Sequence, residues 1–109
     1  MLKLHKECLK SLLNEIKGIV KEHDNKTNEQ TVLKLTEEVG EVAQAILSAD
    51  NVPGTEYKNL NIDDVKEETV DVILVAFSLI YRLDTTDEEL LELMTNKLNK
   101  WKRVIEISK

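Results

Sequence analysis

Two acid-rich stretches hold the residues best suited to chemistry: Glu37-Glu38-Val39-Gly40-Glu41 and Glu67-Glu68-Thr69-Val70-Asp71. Each contains a pair of acids at i, i+3, namely Glu38/Glu41 and Glu68/Asp71. Residues three apart are neighbours on a helix surface, so each pair would set two carboxylates side by side. In a chain with 21 acidic residues, one such pair usually marks a solvated face. Two pairs, both flanked by apolar positions, ask for another explanation.

Residues placed at about 100° intervals put Glu68 inside the stripe of Val65, Val72 and Val75, with Asp71 beside it. Glu38 borders the stripe of Val32, Leu35, Val39, Val42 and Ile46, and Glu41 lies just beyond. A carboxylate on a core-facing stripe needs a partner, because burying unpaired charge is costly. Only Lys34 and Arg82 lie on the matching sides, so a divalent cation is the simplest counterion. An all-carboxylate donor set suits Mg²⁺, Mn²⁺ or Ca²⁺. Zinc would want His or Cys, and His5, His23 and Cys8 lie elsewhere. A di-iron bundle would want Glu-x-x-His, but Glu41 and Asp71 stand where the His would be. No EF-hand loop is present.

Four helices must position these acids. The first runs from about Leu2 to Lys21, with Leu4, Cys8, Leu12, Ile16 and Ile19 at helical spacing. Thr27 and Gln30 read as a capping box opening a second helix that ends near Ala49. Asp50 to Asn61, with Pro53-Gly54 inside it, is the one long loop. Asn61 or Asp63 caps a third helix ending near Leu83. After the turn Leu83-Asp84-Thr85-Thr86, a second capping box (Thr86, Glu89) opens a fourth helix from Asp87 towards the C-terminus. Its apolar face is Leu90, Leu93, Met94, Leu98, Trp101 and Ile105.

The third helix is apolar nearly all round. Val65, Val72, Val75 and Leu79 lie on one side; Val70, Ile73, Leu74, Phe77 and Tyr81 lie on the other. Such a helix is expected to be central. A chain of 109 residues buries only part of its surface alone. A second subunit is therefore expected to complete an all-α, four-helix bundle, with residues 1–109 as a single domain. The alternative is a compact monomer in which the first and fourth helices supply the cover.

Composition agrees. Three glycines and one proline argue against a sandwich or barrel, and 41% hydrophobic with 33% charged residues describes a globular chain. No apolar run reaches about 18 residues, so no membrane span is expected. The charged start MLKLHKECLK is no signal peptide. A lone cysteine fits a reducing cytoplasm. The net charge of −6 argues against nonspecific nucleic-acid binding, although a divalent cation would still let an acidic protein hold phosphates.

Leu33-Lys34-Leu35-Thr36-Glu37-Glu38-Val39-Gly40-Glu41-Val42-Ala43-Gln44-Ala45 resembles the first signature of the MazG-like all-α nucleotide pyrophosphohydrolases. Glu67-Glu68-Thr69-Val70-Asp71-Val72-Ile73 resembles the second, after a spacer of 26 residues between Glu41 and Glu68. The joint pattern, E-E-x-x-E then E-x-x-D, covers about residues 28–103 with its helical context. Two departures stand out: Thr69-Val70 fills the places before the Asp, and Trp101 stands where some relatives carry an Asn.

The resemblance implies a helical bundle, a homodimer or dimer of dimers. It implies Mg²⁺-dependent hydrolysis of a nucleoside triphosphate to monophosphate and pyrophosphate, with Mn²⁺ as a possible substitute. Nucleotide-pool house-cleaning is the expected role. The metal ligands map onto Glu38, Glu41, Glu68 and Asp71, and catalytic roles onto Glu37 and Glu38, although Glu37 points away from the stripe on the wheel. Lys34, Tyr57, Lys58, Lys97, Lys100 and Arg103 are candidate substrate contacts, and His23 to Thr27 a candidate edge of the pocket. A basic C-terminal turn would also simply complement its helix dipole. Rival expectations are a catalytically inert helical interaction or regulatory module, and a phosphatase releasing inorganic phosphate.

Overall fold

The computed structural model describes residues 2–23, 25–55 and 59–108, with side chains from Cys8 onward. Four helices and no strand appear among them: α1 (Leu2–Glu22), α2 (Asn28–Ala49), α3 (Ile62–Arg82) and α4 (Asp87–Ser108). The expected boundaries agree with these to within a residue or two.

Local chemistry fixes the helix starts. The Thr27 hydroxyl accepts from Gln30 N at 3.1 Å, and the Gln30 side chain accepts from Thr27 N at 2.9 Å. Asn61 caps α3 by accepting from the backbone of Asp63 and Asp64, and Asp64 accepts in return from Asn61 N at 2.8 Å. Thr86 accepts from Glu89 N at 3.1 Å at the start of α4. Each arrangement satisfies helix donors that have no intrahelical partner. Asp84 (φ 57°) ends α3 in the left-handed region, which a short polar side chain tolerates. Gly54 (φ 95°) supplies the same freedom inside the α2–α3 loop.

That loop is tied at its base. The buried Ser48 hydroxyl accepts from Leu60 N at 3.0 Å, so the end of α2 meets the approach to α3. α2 and α3 then run antiparallel as the main helix pair, and α1 packs on α3. Val20, Ala45, Val65 and Tyr81 are the buried apolar residues.

This core is small: of the stripes expected to face it, Leu12 and Ile19 on α1 and Val32, Val39 and Ile46 on α2 are exposed, the buried face of α2 being Thr31, Glu38, Ala45 and Ser48, and α4 adds nothing to it. No described residue of α4 is buried, and among the described residues α4 has no extensive packing on another helix, although its first turn meets α1 through Asp87 and Lys17. Leu91, Met94, Leu98, Trp101 and Ile105, spaced 3-4-3-4, are all exposed. An apolar groove of about 640 Å³ runs between Ile80 and this face. On α3, Val70, Ile73 and Leu74 also remain largely exposed. The all-round apolar character of α3 thus does not produce all-round burial within one chain. Of the two helices that the alternative of a compact monomer would use as cover, α1 packs on α3, whereas α4 has no buried residue among those described. Trp101, read in sequence as an apolar-face residue, is 67% exposed.

Candidate metal centre between α2 and α3

The antiparallel pairing of α2 and α3 brings acids from both helices together. One carboxylate oxygen from each of Glu38, Glu68 and Asp71 lies within 4.8 Å of the other two. Glu38 is 9% exposed, so its charge faces little water. Ala45 on α2 and Val65 on α3 are both buried where these two helices form the main packed pair.

Lys34, one turn before Glu38, meets this centre. Its Nζ lies 3.1 Å from Glu38 Oε1 and 3.3 Å from Glu37 Oε1. Hydrogen bonds to these two carboxylates hold the Lys34 ammonium above the usual lysine pKa. Glu68 moves the other way in energetic terms. Desolvation, then the charges of Asp71, Glu41 and Glu38, push its carboxyl above the ordinary value. Among the described contacts one ammonium, Lys34, serves both Glu37 and Glu38, and no cation is paired with Glu41, Glu68 or Asp71. Positive charge is in deficit where Glu68 sits.

The donor set fits a hard divalent cation. It is all oxygen and anionic, spans two rigid helices, and contains no His or Cys. Cys8 and His23 are exposed on or beside α1. Glu38, Glu68 and Asp71 are the residues that converge. Glu41 is exposed at the edge, close enough to raise Glu68 but outside the converging trio. Glu37 is exposed and paired with Lys34.

One cleft reaches Lys34 beside the centre, and a second shares residues with the first. The first, of about 370 Å³, is lined by Lys26, Gln30, Leu33, Lys34 and Glu37. The other, of about 520 Å³, includes Ile19, His23, Asn25, Lys26, Gln30 and Ser78. They share Lys26, just before α2, and Gln30, in its first turn, which together form a polar shelf beside the Lys34 cleft. Lys97, Lys100 and Arg103 are exposed on α4, away from any packed helix face. Tyr57 and Lys58 lie outside the described residues.

A second polar cluster went unread in the sequence. Lys17 Nζ lies 2.7 Å from Asp87 Oδ2 and 5.5 Å from the Tyr81 ring centroid. The Tyr81 hydroxyl donates to Asp87 Oδ1 at 3.4 Å. Tyr81 is 5% exposed, and burial and the Asp87 charge push its phenol up. Phe77 stacks on Tyr81 at 6.4 Å. Seventy positions separate Lys17 from Asp87, and no local pattern signals such a pair.

Fold and site together define an all-α domain with an acidic centre between two antiparallel helices. A model of the MazG nucleotide pyrophosphohydrolase domain matches residues 26–104. The chain belongs to that family. α1 lies ahead of the matched region. No curated protein and no solved structure matches the chain. No described helix is long and apolar enough to cross a membrane.

Proposed function

We propose that this chain is a Mg²⁺-dependent nucleoside triphosphate pyrophosphohydrolase, converting NTP or dNTP and water to the monophosphate and pyrophosphate. The observation that carries the reading is the convergence of Glu38, Glu68 and Asp71 with too little positive charge to balance them. Membership of the family supports the reaction class. Glu38, Glu41, Glu68 and Asp71 would hold the metal, with Mn²⁺ able to replace Mg²⁺. When bound, the metal supplies charge neutralisation of phosphate oxygens and a lowered pKa for water.

The chain's own residues supply the rest. Water oxygen adds to a phosphorus of the anhydride and the bridging P–O bond breaks. Attack at the α- or the β-phosphorus gives the same two products. Glu37 and Glu38 are the nearby bases that would accept the proton of the attacking water. Lys34 faces the phosphates. The shelf of His23, Asn25, Lys26 and Gln30 would take the nucleoside end. Lys97, Lys100 and Arg103, with Lys58, would screen outer phosphates, and Tyr57 would cover the nucleotide. House-cleaning of the nucleotide pool in the cytoplasm is the role that fits, with the four helices acting as one domain and no nucleic-acid or membrane partner.

The active form is a homo-oligomer, a dimer or dimer of dimers. A 12.5 kDa folded monomer is expected to expose about 6,200 Å². This chain exposes 8880 Å². The excess, roughly 2,700 Å² on each chain or about 5,400 Å² over a pair, matches the upper range of the total surface that obligate homodimers bury. The radius of gyration of 17.1 Å, against about 13 Å for a compact chain of this length, agrees.

The test is incubation of a panel of canonical, deoxy and modified triphosphates with Mg²⁺, separating mono- from diphosphate by chromatography. Monophosphate with pyrophosphate supports the reading. Diphosphate with inorganic phosphate would make the protein a phosphatase. No product, with no Mg²⁺-dependent rise in melting temperature, would make it an inert helical module.

A further inference from the structure

We propose that Lys34 is a place-holding counterion: it neutralises Glu38 while the centre lacks a cation, releases it when the cation binds, and turns to the substrate's phosphate oxygens. This deepens the metal-dependent reading of the site and rests on it. The geometry is specific. Lys34 Nζ bonds Glu38 Oε1 at 3.1 Å, and Glu38 is also a member of the converging trio. One carboxylate is therefore shared between an ammonium and the position a cation would take.

The two positive charges cannot both stay there cheaply. A divalent ion on Glu38 would lie only a few ångströms from an ammonium on the same carboxylate, and like charges at that range repel strongly where water is scarce. The Glu38 side chain is 12% exposed, so screening is weak on that side. Lys34 can leave. Its side chain is 39% exposed, its stem is flexible, and its second partner, Glu37, is itself exposed. The cleft of Lys26, Gln30, Leu33, Lys34 and Glu37 opens beside it. A triphosphate arriving there would offer the displaced ammonium a better anion.

The consequence is coupling. Lys34 weakens cation binding to the free protein and strengthens it when phosphate is present. Cation and triphosphate thus bind synergistically, and the empty centre does not hold four uncompensated acids. An ordinary i, i+4 ion pair that merely steadies Glu38 predicts the opposite for the free protein: loss of Lys34 would loosen a ligand and weaken the cation.

The experiment is a Mn²⁺ titration of the full chain, followed by the paramagnetic resonance of free Mn²⁺, for wild type, Lys34→Met and Lys34→Arg. Without phosphate, Lys34→Met should bind Mn²⁺ roughly fivefold more tightly, the low end of coupling between linked sites. Lys34→Arg should match wild type. With inorganic pyrophosphate as the probe, the Mn²⁺-loaded Lys34→Met protein should bind it about tenfold more weakly than wild type. Circular dichroism confirms that both variants are folded.

Mn²⁺ binding by Lys34→Met no tighter than wild type would overturn the proposal, as would unchanged pyrophosphate affinity. If wild type binds no Mn²⁺, the metal site and the role of Lys34 fall together. If wild type binds Mn²⁺ and Lys34→Met binds it more tightly, but no triphosphate is hydrolysed, the proposed reaction falls and the counterion role stands.

Discussion

The Ser48 hydroxyl accepts from the backbone N–H of Leu60 at 3.0 Å, and so joins the last turn of α2 to the residue before the cap of α3. Ser48 is 5% exposed, and the bond closes the loop that separates the two acid motifs. Glu38 and Glu68 meet only because the helices return at this spacing. Ser48→Ala leaves the Leu60 N–H without its acceptor, at a cost of about 1–3 kcal/mol. The melting temperature should fall by several degrees, and Mn²⁺ affinity should fall with it because the ligands lose register. A melt indistinguishable from wild type would mean that water replaces the hydroxyl freely.

Glu68→Gln separates metal binding from folding. In the absence of metal, Glu68 carries a charge opposed by burial and by Asp71, Glu41 and Glu38. Removing that charge should raise the melting temperature of the metal-free protein. The same change removes a ligand, so the rise that Mg²⁺ gives wild type should disappear, and turnover should fall by more than about a hundredfold, beyond what losing a supporting partner costs. Glu38→Gln, Glu41→Gln and Asp71→Asn should lower turnover in the same way with the fold intact. A Glu68→Gln protein that kept near-normal pyrophosphate release would remove Glu68 from the site.

Asp87 gives a pH dependence whose sign is fixed. The Lys17 hydrogen bond, with its charge and the Tyr81 hydroxyl, holds the Asp87 carboxyl below the ordinary aspartate value. A depressed folded-state pKa contributes stability above the unfolded value, about 3.9, and loses it as pH falls through the folded one. Asp87 also lies in the first turn of α4, where a negative charge suits the helix dipole. The side chain is half exposed, so the pair is worth at most about 1 kcal/mol. Asp87→Asn should lower the melting temperature by a nearly constant amount from pH 8 down to about pH 5. The gap should close below about pH 4. A gap that widened in acid would rule out this source of stability.

The acid centre was legible on α3, where charge conflicts with an apolar periodicity, but not by the same route on α2, whose apolar positions Val32, Val39 and Ile46 are exposed while Glu38 lies on the buried face of Thr31, Ala45 and Ser48. Glu68 falls in the Val65–Val72–Val75 stripe, and the structure puts it beside Glu38 and Asp71. Glu41 shares the spacing but lies a fraction of a turn further round α2, enough to leave it at the edge. The helix starts were legible because caps are local: Thr27 with Gln30, and Asn61 with Asp64, act over three residues. Ser48–Leu60 and Lys17–Asp87 were not, since each depends on where separate elements return in space. The apolar patterns of α3 and α4 reported that cover is needed, but periodicity does not say which chain supplies it.

The exposed seam of α4 turns that last point into a measurement. Leu91, Met94, Leu98, Trp101 and Ile105 repeat every 3.5 residues on average, the spacing that packs one helix against another. Among the described residues no helix packs along this seam, and only Ile80 of α3 faces it across the groove. At about 0.025 kcal/mol per Å², an apolar seam left open on every copy is a strong drive to associate. Light scattering on the eluting protein should give at least twice the 12.5 kDa chain mass at micromolar concentration. Leu98→Glu puts a charge at the middle of the seam, where burial without a partner is costly. It should shift the protein towards monomer and lower its melting temperature. Turnover should become concentration-dependent in this variant, since α4 and its Lys97, Lys100 and Arg103 would be held in place only on assembly. A wild-type protein that eluted as a monomer and still turned over triphosphate would place the cover of α4 elsewhere.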